Sequence, residues 1–69
     1  MILKPDWKDA PLWVNYLCMD ADLTWWWFEE KPALGGMEWY ALKGRSKRAW
    51  GEYSNPPDWK TTLEKKPGC

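Results

Sequence analysis

Thr24-Trp25-Trp26-Trp27-Phe28-Glu29-Glu30 carries four aromatic residues in succession. In an extended strand, alternate side chains point to opposite faces. Trp25 and Trp27 then share one face, and Trp26 and Phe28 the other. Both faces of this strand are therefore strongly apolar. Either each face is covered, or one is a binding surface. Aromatics suited to cover a face stand in both terminal segments, at Trp7 and Trp59.

Residues 12–20 read as the strand before it. Val14, Tyr16 and Cys18 alternate with Trp13, Asn15, Leu17 and Met19, and the aromatic and β-branched content favours strand over helix. Asp20-Ala21-Asp22-Leu23 has the composition of a turn. The aromatic strand runs over 24–31 and stops at Pro32, which cannot donate to a central ladder. Gly35-Gly36 opens a connection to a third strand over 37–42. Loops this short favour an antiparallel meander. Residues 49–53 read equally as a short fourth strand or an irregular return, before the break at Ser54-Asn55-Pro56-Pro57. At the C-terminal end Asp58 is a candidate N-cap. Trp59, Thr62 and Leu63 follow at helical spacing, with Lys65 and Lys66 placed for the end of a helix dipole. This predicts a short helix over 58–65. The expected fold is α+β, mainly β: a three- to four-stranded antiparallel meander with a short C-terminal helix, in a single domain spanning residues 1–69.

The tetrapeptide Pro5-Asp6-Trp7-Lys8 recurs as Pro57-Asp58-Trp59-Lys60. Its physical content is a capped turn that presents a Trp. Either the two turns dock on the same sheet, or a good capping sequence has simply been used twice. A single repeated tetrapeptide is not a repeat architecture.

A domain of 69 residues has little interior, and small domains commonly lean on disulfides or a metal. The two cysteines, Cys18 in an apolar strand and Cys69 as the last residue, do not form a disulfide framework. Their expected states are a buried small hydrophobe and a free tail thiol, which fits a reducing compartment. The eight Trp take the place of covalent staples. The start of the chain has no apolar core of a signal peptide, and no apolar run approaches the ~20 residues of a spanning helix, so no membrane partner is expected. Ten Lys and Arg balance ten Asp and Glu. Residues 1–30 hold six of the acids and two of the bases, and residues 31–69 the remaining four acids and eight bases. Folding brings these halves together, and zero net charge does not mark a nucleic-acid protein.

The chain has no His, which removes the usual general base and the commonest metal ligand. Asp20 and Asp22 in one turn fall short of the six or more oxygens of a hard-cation site. Glu29 and Glu30 point to opposite faces of a strand and are not a catalytic pair. No Gly-rich phosphate loop links a strand to a helix. The expectation is a protein that is not an enzyme and uses no cofactor or metal. Three binding surfaces remain. One is the second face of the sheet, which also admits a homodimer. Another is the basic turn at Lys43, Arg45, Lys47 and Arg48 with Trp50 and Tyr53 beside it, where the charges would meet phosphate and the rings would stack a base; the bland reading is a solvated loop. A third is an aromatic cage for a sugar or a quaternary ammonium, which core packing of the same Trp residues would leave unbuilt.

Three stretches also resemble one family in order along the chain. Asp6-Trp7-Lys8-Asp9-Ala10-Pro11 is similar to its opening. Met19-Asp20-Ala21-Asp22, Trp25-Trp26-Trp27 and Glu29-Glu30-Lys31-Pro32 look like its centre. Asp58-Trp59-Lys60-Thr61-Thr62-Leu63 and Lys65-Lys66-Pro67 resemble its end. The family is a group of small tryptophan-rich proteins encoded by tailed bacteriophages and prophages, mostly of unassigned function. This chain departs from it at Leu23, where Gly is more usual, at Thr62, where Ser is expected, and at Lys66, where Arg is. The resemblance implies a phage-encoded accessory protein in the host cytoplasm and transfers no catalytic residue. With the aromatic content, it leads to an expected protein partner, host or phage, possessed of a surface for Trp and Arg anchors. The alternatives are a nucleic-acid binder using the basic turn and a structural virion or assembly component.

Overall fold

The computed structural model describes residues 2–53 and 58–68. The break at Ser54–Pro57 and the thiol of Cys69 lie outside the described residues. The chain is mainly β, with antiparallel pairing throughout the described sheets. The described residues form eight strands: β1 (Ile2–Leu3), β2 (Tyr16–Met19), β3 (Trp25–Phe28), β4 (Ala33–Leu34), β5 (Trp39–Tyr40), β6 (Ser46–Ala49), β7 (Glu52–Tyr53) and β8 (Glu64–Lys65). The central sheet has the order β6-β3-β2-β8, and β1-β7 and β4-β5 form two small ribbons.

The Trp-Trp-Trp-Phe strand is β3, an inner strand of this sheet. It pairs on one side with β2, Leu17 opposite Trp27 and Met19 opposite Trp25, and on the other with β6, Lys47 opposite Trp27 and Ala49 opposite Trp25. Residues directly opposite share a face. Glu64, Leu17, Trp27 and Lys47 thus form one row across the sheet, and Met19, Trp25 and Ala49 the next. This face is the core: Val14, Leu17, Met19, Trp25, Trp27 and Ala49 are buried together, with Trp7, Ala10, Trp13 and Trp59 packed against them.

Both Pro-Asp-Trp-Lys segments fold alike. Each forms a single 3-10 turn, Trp7–Asp9 and Trp59–Thr61. Asp6 Oδ1 accepts from the Lys8 amide at 3.0 Å, and Asp58 Oδ1 accepts from the Lys60 amide at 3.1 Å. A short Asp side chain satisfies an otherwise unpaired amide of the first turn in this way. Both turns bring their Trp to the same core face. They roof the Trp25–Trp27 face, not the Trp26–Phe28 face.

Three expectations need correction. The segment 58–65 is not a helix. After its one 3-10 turn the chain extends, and Glu64–Lys65 becomes an edge strand on β2. A short helix is costly to nucleate, and the branched Thr61 and Thr62 disfavour it. The free edge of β2 offers a better outlet, reached through Thr62: its hydroxyl accepts from the Met19 amide at 2.9 Å and donates to a carbonyl, Trp59 O at 2.8 Å or Met19 O at 3.2 Å. The segment 37–42 is not the third strand of a meander. Only Trp39–Tyr40 is extended, and it folds back on Ala33–Leu34 as a ribbon. The third strand is β6, built from residues of the basic stretch. An edge strand tolerates Lys and Arg because one side of its backbone and its side chains reach water. Residues 49–53 are not one strand: Ala49 ends β6, residues 50–51 are irregular, and Glu52–Tyr53 pair with β1 outside the central sheet.

Cys18, Trp26 and Arg48 form a row on the second face, as do Lys65, Tyr16, Phe28 and Ser46. Cys18 and Phe28 are buried, Tyr16 and Trp26 half-buried. The β4–β5 ribbon reaches this side, since Trp39 and Tyr40 line a cavity with Trp26 and Phe28. Of the eight Trp, two are buried, five half-buried, and Trp50 is 79% exposed.

Candidate functional site

The six residues of the predicted basic and aromatic surface do not form one patch. Arg45 is taken up by the fold. Its amide donates to Glu29 Oε1 at 3.0 Å, and its guanidinium grips the same carboxylate through Nε at 3.3 Å and Nη2 at 3.0 Å. The guanidinium also lies 4.7 Å from the centre of the Trp13 ring. These bonds hold the Glu29 carboxyl below the usual carboxylate range and push Arg45 higher still. The clamp sits at the entry to β6, where Glu29 N–H donates to Arg45 O at 2.9 Å. Gly44 precedes it with φ +80°, and a Cβ there would stand 2.9 Å from Glu30 Cγ. Arg45 therefore aligns β6 on β3.

Lys43 is exposed in the turn before the clamp. Lys47 and Arg48 stand on opposite faces of edge strand β6. Of Tyr53 only the backbone is described, paired with Ile2. Arg48 and Trp50 do meet: the guanidinium lies 4.7 Å from the centre of the exposed indole. Beside them runs an open groove of about 590 Å³, lined by Lys4, Pro5, Asp6, Asp9, Arg48, Trp50 and Gly51. A smaller hollow of about 260 Å³ continues it toward Trp27 and Lys47.

Asp6 and Asp9 at this groove escape a reading of the sequence, where they serve only as capping residues of a turn some 40 positions from Arg48. No local pattern signals their approach. It follows from docking the first turn over Trp27, with the Trp7 and Trp27 ring centres 5.2 Å apart.

The backbone of β6 adds a further binding element. Glu29 N–H donates to the residue opposite it, Arg45, so the alternate pairs Phe28–Ser46 and Trp26–Arg48 are non-hydrogen-bonded ones. The N–H and C=O groups of Ser46 and Arg48 accordingly face outward along the sheet edge, where another extended segment can pair with them.

Burial pushes the Cys18 thiol far up, with Asp20 adding to it, so this side chain is no nucleophile. Asp20 and Asp22 are engaged in their turn: Asp20 Oδ1 accepts from the Trp39 amide at 2.8 Å and Asp22 Oδ1 from the Thr24 amide at 3.0 Å. Among the described residues no group of three or more potential metal ligands converges, and no helix is long and apolar enough to cross a membrane. No family model, curated protein or solved structure matches the chain.

Proposed function

We propose that this chain is a non-catalytic accessory protein that binds a protein partner along the β6 edge, with Arg48 and Trp50 as anchors. Its resemblance to small phage proteins supports a phage origin and a host or phage protein as the partner, met in the host cytoplasm. The observation that carries the choice of partner is the mixed sign of the groove: Asp6 and Asp9 line it together with Arg48 and Trp50. A nucleic-acid backbone is uniformly negative and would meet these carboxylates, whereas a protein surface supplies both signs. Arg45, the central base of the turn, is already neutralised by Glu29. Arg and Trp are the residue types that dominate interface energetics, and here the Arg48 guanidinium lies over the Trp50 ring.

The test pairs two measurements. A photo-crosslinking side chain at position 50 should capture one stoichiometric protein from phage-infected or host lysate, and Arg48→Ala should abolish capture. A labelled oligonucleotide should show no binding at low salt. Tight, salt-dependent oligonucleotide binding that Arg48→Ala weakens would replace the protein partner with a nucleic acid.

A further inference from the structure

The second face of the sheet carries an open hollow of about 210 Å³. The buried Phe28 is among its lining residues. Trp26, Trp39 and Tyr40 supply aromatic walls from two different elements, β3 and the β4–β5 ribbon. Asp20 and Glu38 stand in the same lining, and none of the lining residues is basic. Asp20 is itself 8% exposed. At this size the cavity is smaller than the roughly 300–1,000 Å³ of sites for whole drug-sized ligands, and it suits a compact head group.

We propose that this cavity is an aromatic cage for a trimethylammonium head group. Aromatic faces attract cations through the ring quadrupole, and they do so best for cations that lose little hydration on entry. A methylated ammonium meets both conditions, whereas a bare ammonium would forfeit its water. The carboxylates add the counter-charge that the lining otherwise lacks. Consistent with a site short of positive charge, burial and then the neighbouring Asp22 and Glu38 carboxylates push the Asp20 carboxyl up, against the Trp39 amide bond that lowers it. The Trp39 amide also fixes the carboxylate through a 2.8 Å bond, and the Trp39 indole is held by its own bond to Trp59 O at 3.3 Å. One aromatic wall, Trp39, and the Asp20 counter-charge are thus set before any ligand arrives, which lowers the ordering cost of binding.

The site borders β6 at Ser46 but is not lined by Arg48 or Trp50. Titrations of the intact chain with choline and with a trimethyl-lysine peptide, followed by NMR at the indole N–H signals, test it. The neutral carbon isostere of choline is the control. Saturable shifts of the Trp26 and Trp39 signals are expected, with both cations bound at least about fivefold more tightly than the isostere. Preference between choline and the peptide assigns the source as a free or lipid head group or a modified protein. Glu38→Gln and Tyr40→Ala alter exposed residues, so the fold should persist in both, as an unchanged dispersed NMR spectrum would verify. Each should weaken binding about fivefold, while Trp50→Ala should leave it unchanged. Equal binding of the isostere, shifts that never saturate, or full binding by folded Tyr40→Ala would overturn the proposal.

Discussion

Trp7 and Glu64 are joined by a hydrogen bond of 2.9 Å from the indole Nε1–H to Oε1, across 57 residues of sequence. Lys4 Nζ adds an ion pair to Oε2 at 2.8 Å. Glu64 stands at the end of the row that runs through Leu17 to Trp27, and Trp7 packs on Trp27. One indole therefore spans the core face and ties the first turn to the last strand. Glu64→Ala should lower stability by about 1–2 kcal/mol, a range held down because Lys4 is partly solvated. Trp7→Phe keeps a ring on Trp27 but removes the donor. A double-mutant cycle between Trp7→Phe and Glu64→Ala, read by urea denaturation, should return a coupling of about 1 kcal/mol.

Acid should work against Glu64 and in favour of Asp20. Burial raises the Glu64 carboxyl, but the Lys4 and Trp7 bonds outweigh it and leave it below its ordinary value. A lowered folded pKa gives stability that is full above the unfolded value and is lost as pH falls through the folded one. Asp20 is shifted the other way, mainly by burial. Its penalty is absent below the ordinary aspartate value and grows as pH rises toward the folded pKa. Asp20→Asn keeps an acceptor for the Trp39 amide. Its melting temperature should match the unaltered chain near pH ~3 and exceed it by neutral pH. Asp20→Ala leaves that amide unpaired and should cost about 1–3 kcal/mol at neutral pH.

Leu23 has φ +68°. A left-handed conformation costs an L-residue roughly 1–2 kcal/mol, and Leu23 is 41% exposed and contributes limited burial in return. Leu23→Gly relieves this strain while adding about 0.5–1 kcal/mol of unfolded-state entropy. A net stabilisation of about 0.5 kcal/mol is expected, measured as a higher urea midpoint with an unchanged slope.

Gly44→Ala should act oppositely. Its φ of +80° is strained for alanine, and the new methyl would press on Glu30 Cγ at 2.9 Å and Glu29 Oε1 at 3.1 Å. A loss of about 1–3 kcal/mol is expected, together with weaker amide protection in β6, because the displaced carboxylate is the one that holds Arg45.

The faces of β2 and β3 were legible because alternation needs only the local chain. Leu17, Met19, Trp25 and Trp27 do share the core face, and Tyr16, Trp26 and Phe28 the other; Val14, read with Tyr16, instead joins the core because the strand begins only at Tyr16. The capped turns at Trp7 and Trp59 were legible for the same reason, since Asp capping spans two residues. What escaped was partner choice. Ser46–Ala49 lacks apolar alternation, and its strand identity comes from the Glu29–Arg45 clamp and from lying at an edge. Glu64–Lys65 carries helix-favouring residues but takes the open side of β2. The candidate surface was legible at Arg48 and Trp50, whereas the acids beside it arrive through tertiary docking alone.

The order of the central sheet carries the whole account, because it sets which residues flank Trp26 and which reach the β6 edge. Cross-strand Hα–Hα contacts in the NMR spectrum test it directly, since non-hydrogen-bonded antiparallel pairs bring these protons together at a Cα separation of about 4.5 Å. Contacts are expected between Trp26 and Arg48, Leu17 and Trp27, and Tyr16 and Lys65. Contacts from Trp26 to residues 37–42 with none to Arg48, or a helical pattern through 58–65, would contradict it.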